Sequence, residues 1–153
     1  MTDTTSQPKP AKPPSRVTVK WAGGQRFDGG HEGGQTSRFD GTGETGQSPP
    51  EGLLSALASC AAIDVVEIMA KRRTPLESLE VRVVGERVDG VPRKFKHITL
   101  NFSVAGSGLE KDQLERAIDL AVNKYCSVRD SLSADIPVVW TLEITPSSPA
   151  AVS

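Results

Sequence analysis

The segment EGLLSALASCAAIDVVEIMAKRR, from Glu51 to Arg73, constrains the fold more than any other stretch of the chain. It is apolar over most of its circumference when wound as a helix. Such a helix is covered on nearly all sides in a folded protein, so its expected place is central in the domain or at a subunit interface. Glu51 at its start and the basic residues Lys71, Arg72 and Arg73 at its end complement the helix dipole. The tandem Pro49 and Pro50 suit the entry to a helix rather than its interior, and Thr74-Pro75 ends it.

The flanking segments change period. RVTVKWA (16–22) alternates with Val17, Val19 and Trp21 on one side, and Gly23-Gly24 follows as a turn signal. Two short polar segments around QRFDG and QTSRFDG are separated by a glycine cluster holding His31 and Glu32, which predicts a small meander. GTGETGQSPP reads as a loop. After the helix, LEVRVVGERV and KHITLNFSVAG alternate at period two, with Val81, Val83 and Gly85 along one face and Ile98, Leu100 and Phe102 along another. DGVPRK between them is turn chemistry. Residues 109–122 repeat apolar positions at Leu109, Leu114, Ala117, Ile118 and Ala121, the spacing of an amphipathic helix. SVRDSLSA then reads as a short further helix and PVVWTLEIT as a closing strand. Three strands, a long helix, two strands, two helices and a strand make an α+β fold rather than a doubly wound parallel sheet.

The ends lack the apolar residues a core needs. Residues 1–15 are rich in Thr, Ser, Lys and Pro and are expected to form a disordered tail, and residues 146–153 a flexible one, leaving one domain over 16–145. Eighteen basic and nineteen acidic side chains give a net charge of −1, which argues against a nucleic-acid partner. There is no unbroken apolar run of membrane-spanning length and no secretory-type N-terminus, so the expectation is a cytoplasmic protein with no membrane partner.

Two cysteines occur, Cys60 and Cys126, far from any CxxC spacing. Cys60 lies in the apolar helix among small residues, in LASCAAID. It fits a buried inert thiol as well as a reactive one. Cys126, in KYCSVRD, lies near the start of the short helix, a position that favours the thiolate. Periodicity does not say whether the two are neighbours. Asp64, one turn after Cys60, would disfavour a thiolate there and is read as structural or as a hydrogen-bonding partner. His31 and His97 lack close ligand spacing to either cysteine, so no metal and no cofactor is expected.

SPPEGLLSALASCAAIDVVEIM resembles the reactive-cysteine helix of the OsmC/Ohr superfamily, in which a proline and a glutamate precede the helix. ERAIDLAVNKYCSVRDSL is similar to that family's second cysteine segment, and the GERV, KHITLNFSV and closing-strand blocks fall in the expected order over about residues 16–145. The resemblance implies an OsmC-like fold of mostly antiparallel sheets and an intertwined homodimer with the two long helices at its centre. It implies a peroxidase: Cys60 attacks a hydroperoxide and becomes a sulfenic acid, Cys126 condenses with it to a disulfide, and a dithiol reductant, of lipoyl type for example, restores both thiols.

The same resemblance carries Glu51 over as an active-site acid. Nine residues along a helix place Glu51 and Cys60 on opposite faces about 13 Å apart along the axis, so Glu51 is expected to serve the partner subunit's thiol. The alternative is that Glu51 only caps the helix. The family's hairpin arginine, which stabilises the thiolate, corresponds to Arg26 in GGQRFDG, with Arg38 as the competitor. Ser127 stands where a proline often follows the second cysteine, which places the chain nearer an OsmC-like branch. The alternative function is a non-catalytic redox-sensing or small-ligand-binding dimer that keeps the cysteine pair.

Overall fold

A computed structural model describes residues 7–147 and resolves two compact units divided at Pro49 and Pro50. Of the expected tails, residues 7–15, 146 and 147 carry no regular structure, while 1–6 and 148–153 lie outside the described residues.

The first unit is an antiparallel meander of β1 (Val17–Trp21), β2 (Arg26–His31) and β3 (Thr36–Asp40), in that spatial order. Gly23 and Gly24, with φ of 94° and 56°, supply the left-handed residues that the β1–β2 turn requires. The sheet is two-faced. Trp21 pairs with Phe27 and Phe27 with Phe39, so these aromatics share a face with Val17 and Val19. Lys20, Asp28 and Arg38 are aligned across the other face, with Arg26 opposite Asp40. The apolar face is largely open: Val17, Val19 and Trp21 are 72%, 58% and 70% exposed.

Order on the polar face comes from Asp40, fully buried and the sole buried charged side chain among the described residues. Its carboxylate accepts hydrogen bonds from the backbone N–H and hydroxyl of both Thr42 (2.9 and 2.7 Å) and Thr45 (3.0 and 2.7 Å) and from Arg26 Nε (3.3 Å). The segment DGTGET is thus folded around one acid.

The second unit opens with α1 (Pro49–Lys71), continues through β4 (Ser78–Arg87) and β5 (Phe95–Ala105), α2 (Lys111–Leu120) and α3 (Ser127–Ser131), and closes with β6 (Val138–Ile144). Its sheet has the order β4-β5-β6. β4 and β5 are antiparallel, but β5 and β6 are parallel, as a strand reached through an intervening helical segment can be. The stripes expected on separate faces are opposed in register on one face, Val81 to Phe102, Val83 to Leu100 and Gly85 to Ile98. Gly85 interrupts the apolar alternation for a packing reason: a Cβ there would lie 2.6 Å from the Phe95 ring.

Ile98, Leu100, Phe102 and Val104 form one core with Leu57, Ala58, Ala61, Val65 and Met69 of α1 and with Leu114, Ala117 and Ile118 of α2. The buried residues of α1 follow one stripe. Leu53, Ile63 and Val66 remain exposed, so within the single chain α1 is covered on one side and not all round as expected. It is also long and apolar enough, by length and composition, to cross a membrane, which narrows the sequence expectation: Ser55, Ser59, Asp64 and Glu67 break the run without lowering its average much. α2 starts two residues later than expected, with Glu110 at its N-cap and Leu109 packed on the core ahead of it.

Candidate active site: a thiol pair beside the long helix

Helical phase brings the two cysteines together. On a regular 3.6-residue spacing, the buried stripe Leu114, Ala117, Ile118, Ala121 leads next to Tyr125. Instead α2 widens into a π-helical turn over Ala121–Tyr125. The extra residue passes the inward position from Tyr125, which is 52% exposed, to Cys126, which is 3% exposed. Such turns are frequent at functional sites.

Cys126 then caps α3. Its backbone is extended (φ −70°, ψ 103°) and its sulfur accepts the N–H of Arg129 at 3.3 Å, the bond an N-cap oxygen usually makes. The thiol lies 3.9 Å from the carbonyl oxygen of Leu57, one turn before Cys60 on α1. Cys60 is half-buried and Cys126 buried, and both are free thiols. Cys60 Sγ is 3.8 Å from the Ser127 hydroxyl.

The two thiols have opposite electrostatics. Burial disfavours ionisation of Cys60, but the N–H of Val128, the thiol of Cys126, and the hydroxyl and N–H of Ser127 together outweigh it, so its pKa falls below the ordinary value. At Cys126 burial leads. The N–H of Arg129 offsets it in part, and the adjacent Cys60, as hydrogen-bond acceptor and as charge, pushes the same way as burial, so the pKa is raised. This runs against the expectation that a helix start favours the Cys126 thiolate: burial outweighs it there, and the first N–H groups of α3 act on Cys60 as well.

The remaining candidates fall elsewhere. Glu51 is exposed in the first turn of α1, on the face opposite Cys60 by helix geometry. Arg26 and Arg38 belong to the first unit. Arg26 contacts Asp40 and Glu44, each at 3.3 Å, and Arg38 grips Asp28 through two bonds of 2.6 and 3.1 Å, so both guanidinium groups engage carboxylates of their own unit. Asp28 and Arg38 stabilise each other's charge, chiefly through that hydrogen bond. Asp64 is half-buried and is not among the groups that act most on Cys60. His97 lies 3.6 Å from Glu86, and among the described residues no cluster of three or more His, Cys, Asp or Glu is placed to hold a metal ion. Asp40 and the N–H of Val128 went unrecognised in the sequence. The spacing of Asp40, Thr42 and Thr45 was a signal for the first, whereas a backbone donor has none.

With this fold and thiol pair in view, the family is plain: residues 41–141 match the model of the OsmC-like proteins, and the chain belongs to that family. Protein YhfA of Escherichia coli strain K12 is 39% identical over 130 residues, which span 84% of this chain and 97% of YhfA. An OsmC-like protein from Mycoplasma pneumoniae shares the fold with a TM-score of 0.74 at 14% identity, over 88% of this chain and 99% of that one. The organic hydroperoxide resistance protein OhrB of Bacillus subtilis does so with a TM-score of 0.57 at 17% identity, over 85% and 98%.

Proposed function

We propose that the protein is a thiol-dependent peroxidase with Cys60 as attacking sulfur and Cys126 as its resolving partner. The observation that carries this reading is the geometry of the pair: a half-buried thiol on α1 within reach of the Ser127 hydroxyl, beside a buried thiol that caps α3 and packs against the Leu57 carbonyl one turn earlier on α1. Family membership supports a role in peroxide stress. The Cys60 thiolate displaces alkoxide from the terminal oxygen of a hydroperoxide, forming an S–O bond and breaking the O–O bond. With one proton taken up, the products are an alcohol and Cys60 sulfenic acid. The Cys126 thiol then attacks the oxidised sulfur, forming the disulfide and releasing water. A dithiol, of lipoyl type for example, returns both cysteines to thiols and leaves as its own disulfide.

The working unit in this reading is a homodimer. Leu53, Ile63 and Val66 on α1, and Val17, Val19 and Trp21 on β1, are apolar and open in the single chain, and a second copy supplies a cover of matching chemistry. Glu51, turned away from its own Cys60, acts on the partner subunit's thiol in such a dimer, and Arg26, released from Asp40 and Glu44, is its candidate cation.

Consumption of cumene hydroperoxide by the full chain with a dithiol reductant tests the proposal. Turnover in the wild type and its loss by at least about a hundredfold in Cys60→Ser is the expected result. Absence of turnover in the wild type, or undiminished turnover in Cys60→Ser, rejects it in favour of a redox-sensing or ligand-binding role.

A further inference from the structure

The residue after the second cysteine does more than start a helix. Ser127 is the first residue of α3, and its side chain turns back over α1, where its hydroxyl oxygen is 3.8 Å from Cys60 Sγ. Either atom can be the donor while Cys60 is protonated. Once Cys60 is a thiolate it has no proton to give, and the hydroxyl alone can donate. The contact thus gains strength with the charge on sulfur, as hydrogen bonds to ionised groups do.

We infer that Ser127 is a catalytic residue of this thiol centre, its hydroxyl donating to the Cys60 sulfur and holding it in the attacking anionic form. The word catalytic rests on the peroxidase reading above; the contact to the reacting atom does not. The exposed position of Ser127 leaves its hydroxyl free to rotate toward the sulfur, while its backbone carbonyl accepts from the Ser131 hydroxyl. Ser127 also brings a backbone N–H that acts on Cys60 in the same sense, which no proline at this position could supply. The titratable group facing Cys60 from the α3 side is Cys126, and on α1 itself Asp64 lies one turn beyond. Neither substitutes for the hydroxyl: Cys126 is held back by burial, and Asp64 is of the wrong charge.

The position allows clean substitutions. It is exposed, and it is the first residue of a helix, where proline is tolerated; the extended backbone of Cys126 also suits a residue that precedes proline. The measurement is the rate at which Cys60 of the reduced full-length protein is alkylated by iodoacetamide across the acid-to-alkaline range, with the modified cysteine identified by mass spectrometry. Ser127→Ala is expected to slow Cys60 alkylation at neutral pH about fivefold and to move its inflection to higher pH, the loss of one hydrogen bond to the anion. Ser127→Thr, which keeps the hydroxyl, stays near wild type. Ser127→Pro, which lacks both hydroxyl and N–H, falls below Ser127→Ala. Circular dichroism of each variant excludes unfolding as the cause, and Ser127→Thr and Ser127→Pro keep the test open should Ser127→Ala fold poorly. An unchanged Cys60 profile in both Ser127→Ala and Ser127→Pro overturns the inference. A protein without peroxide turnover whose profile still shifts in Ser127→Ala would lose the proposed reaction while keeping the role of Ser127.

Discussion

The two three-stranded sheets of this chain reach order by opposite routes. The second buries its apolar face under α1 and α2, and its exposed face is mostly polar, with Val84 and Val139 the apolar residues left open on it. The first leaves Val17, Val19 and Trp21 open and is organised on its polar face by a buried acid and the threonines and arginine that satisfy it. A sheet of the second kind contains its own reason to fold. One of the first kind is specified in shape by hydrogen bonds, and its apolar side is an unused source of stabilisation until something covers it.

The contrast can be broken by substitution. Phe102 is the largest fully buried side chain of the second sheet, and Phe102→Ala is expected to cost about 3–5 kcal/mol in urea unfolding. A cost under about 1 kcal/mol would mean that this core is not what holds the unit. The next effect belongs to the first sheet and to acid. Asp40 is held well below the usual carboxylate range, first by the Thr45 hydroxyl and then the Thr42 hydroxyl, against the opposing effect of burial and with help from both N–H groups. A lowered pKa in the folded state means that its stabilisation is complete above the ordinary carboxylate pKa and drains away as pH falls below it. With Trp140 replaced by Phe, the fluorescence of Trp21 reports on the first sheet. Loss of the native Trp21 signal at acid pH is expected to flatten in Asp40→Asn, which should already be less stable at neutral pH; parallel acid profiles would remove Asp40 from its central place. The smallest effect sharpens the difference between polar contacts. Arg82 and Glu80 pair at 2.9 Å on the open face of the second sheet with side chains 80% and 64% exposed, so Arg82→Ala should change stability by less than about 0.5 kcal/mol.

Periodicity carried most of the fold into view. Alternation in 79–88 and 96–105 gave β4 and β5, and the Gly23-Gly24 signal gave the first hairpin. The parallel pairing of β5 with β6 was not legible, because period two is the same for both directions of pairing. The presence and length of α1 were legible, although it starts and ends two residues earlier than the expected Glu51–Arg73, but how much of it a single chain covers was not, since composition reports a preference for burial and not the identity of the covering surface. Within the site, the sequence marked both sulfurs, and their pairing came from the family resemblance. Which of the two is acidic depended on a few N–H and O–H groups at the head of α3, and their direction follows from a backbone conformation that no side-chain pattern encodes. The hairpin arginines show the converse: charge and position suggested a role at the thiol, while the carboxylates opposite each in register, Asp40 and Asp28, claim them locally.

The widened turn at Ala121–Tyr125 makes chain length itself a determinant of chemistry. A helix is a ruler whose marks also rotate, and one surplus residue advances everything downstream by about 100°. Tyr125 and Cys126 exchange their bearings through that advance, with no change in which residues are present. A one-residue deletion here would keep every functional side chain and still turn a different one toward α1, so in this region the count of residues matters as much as their identity.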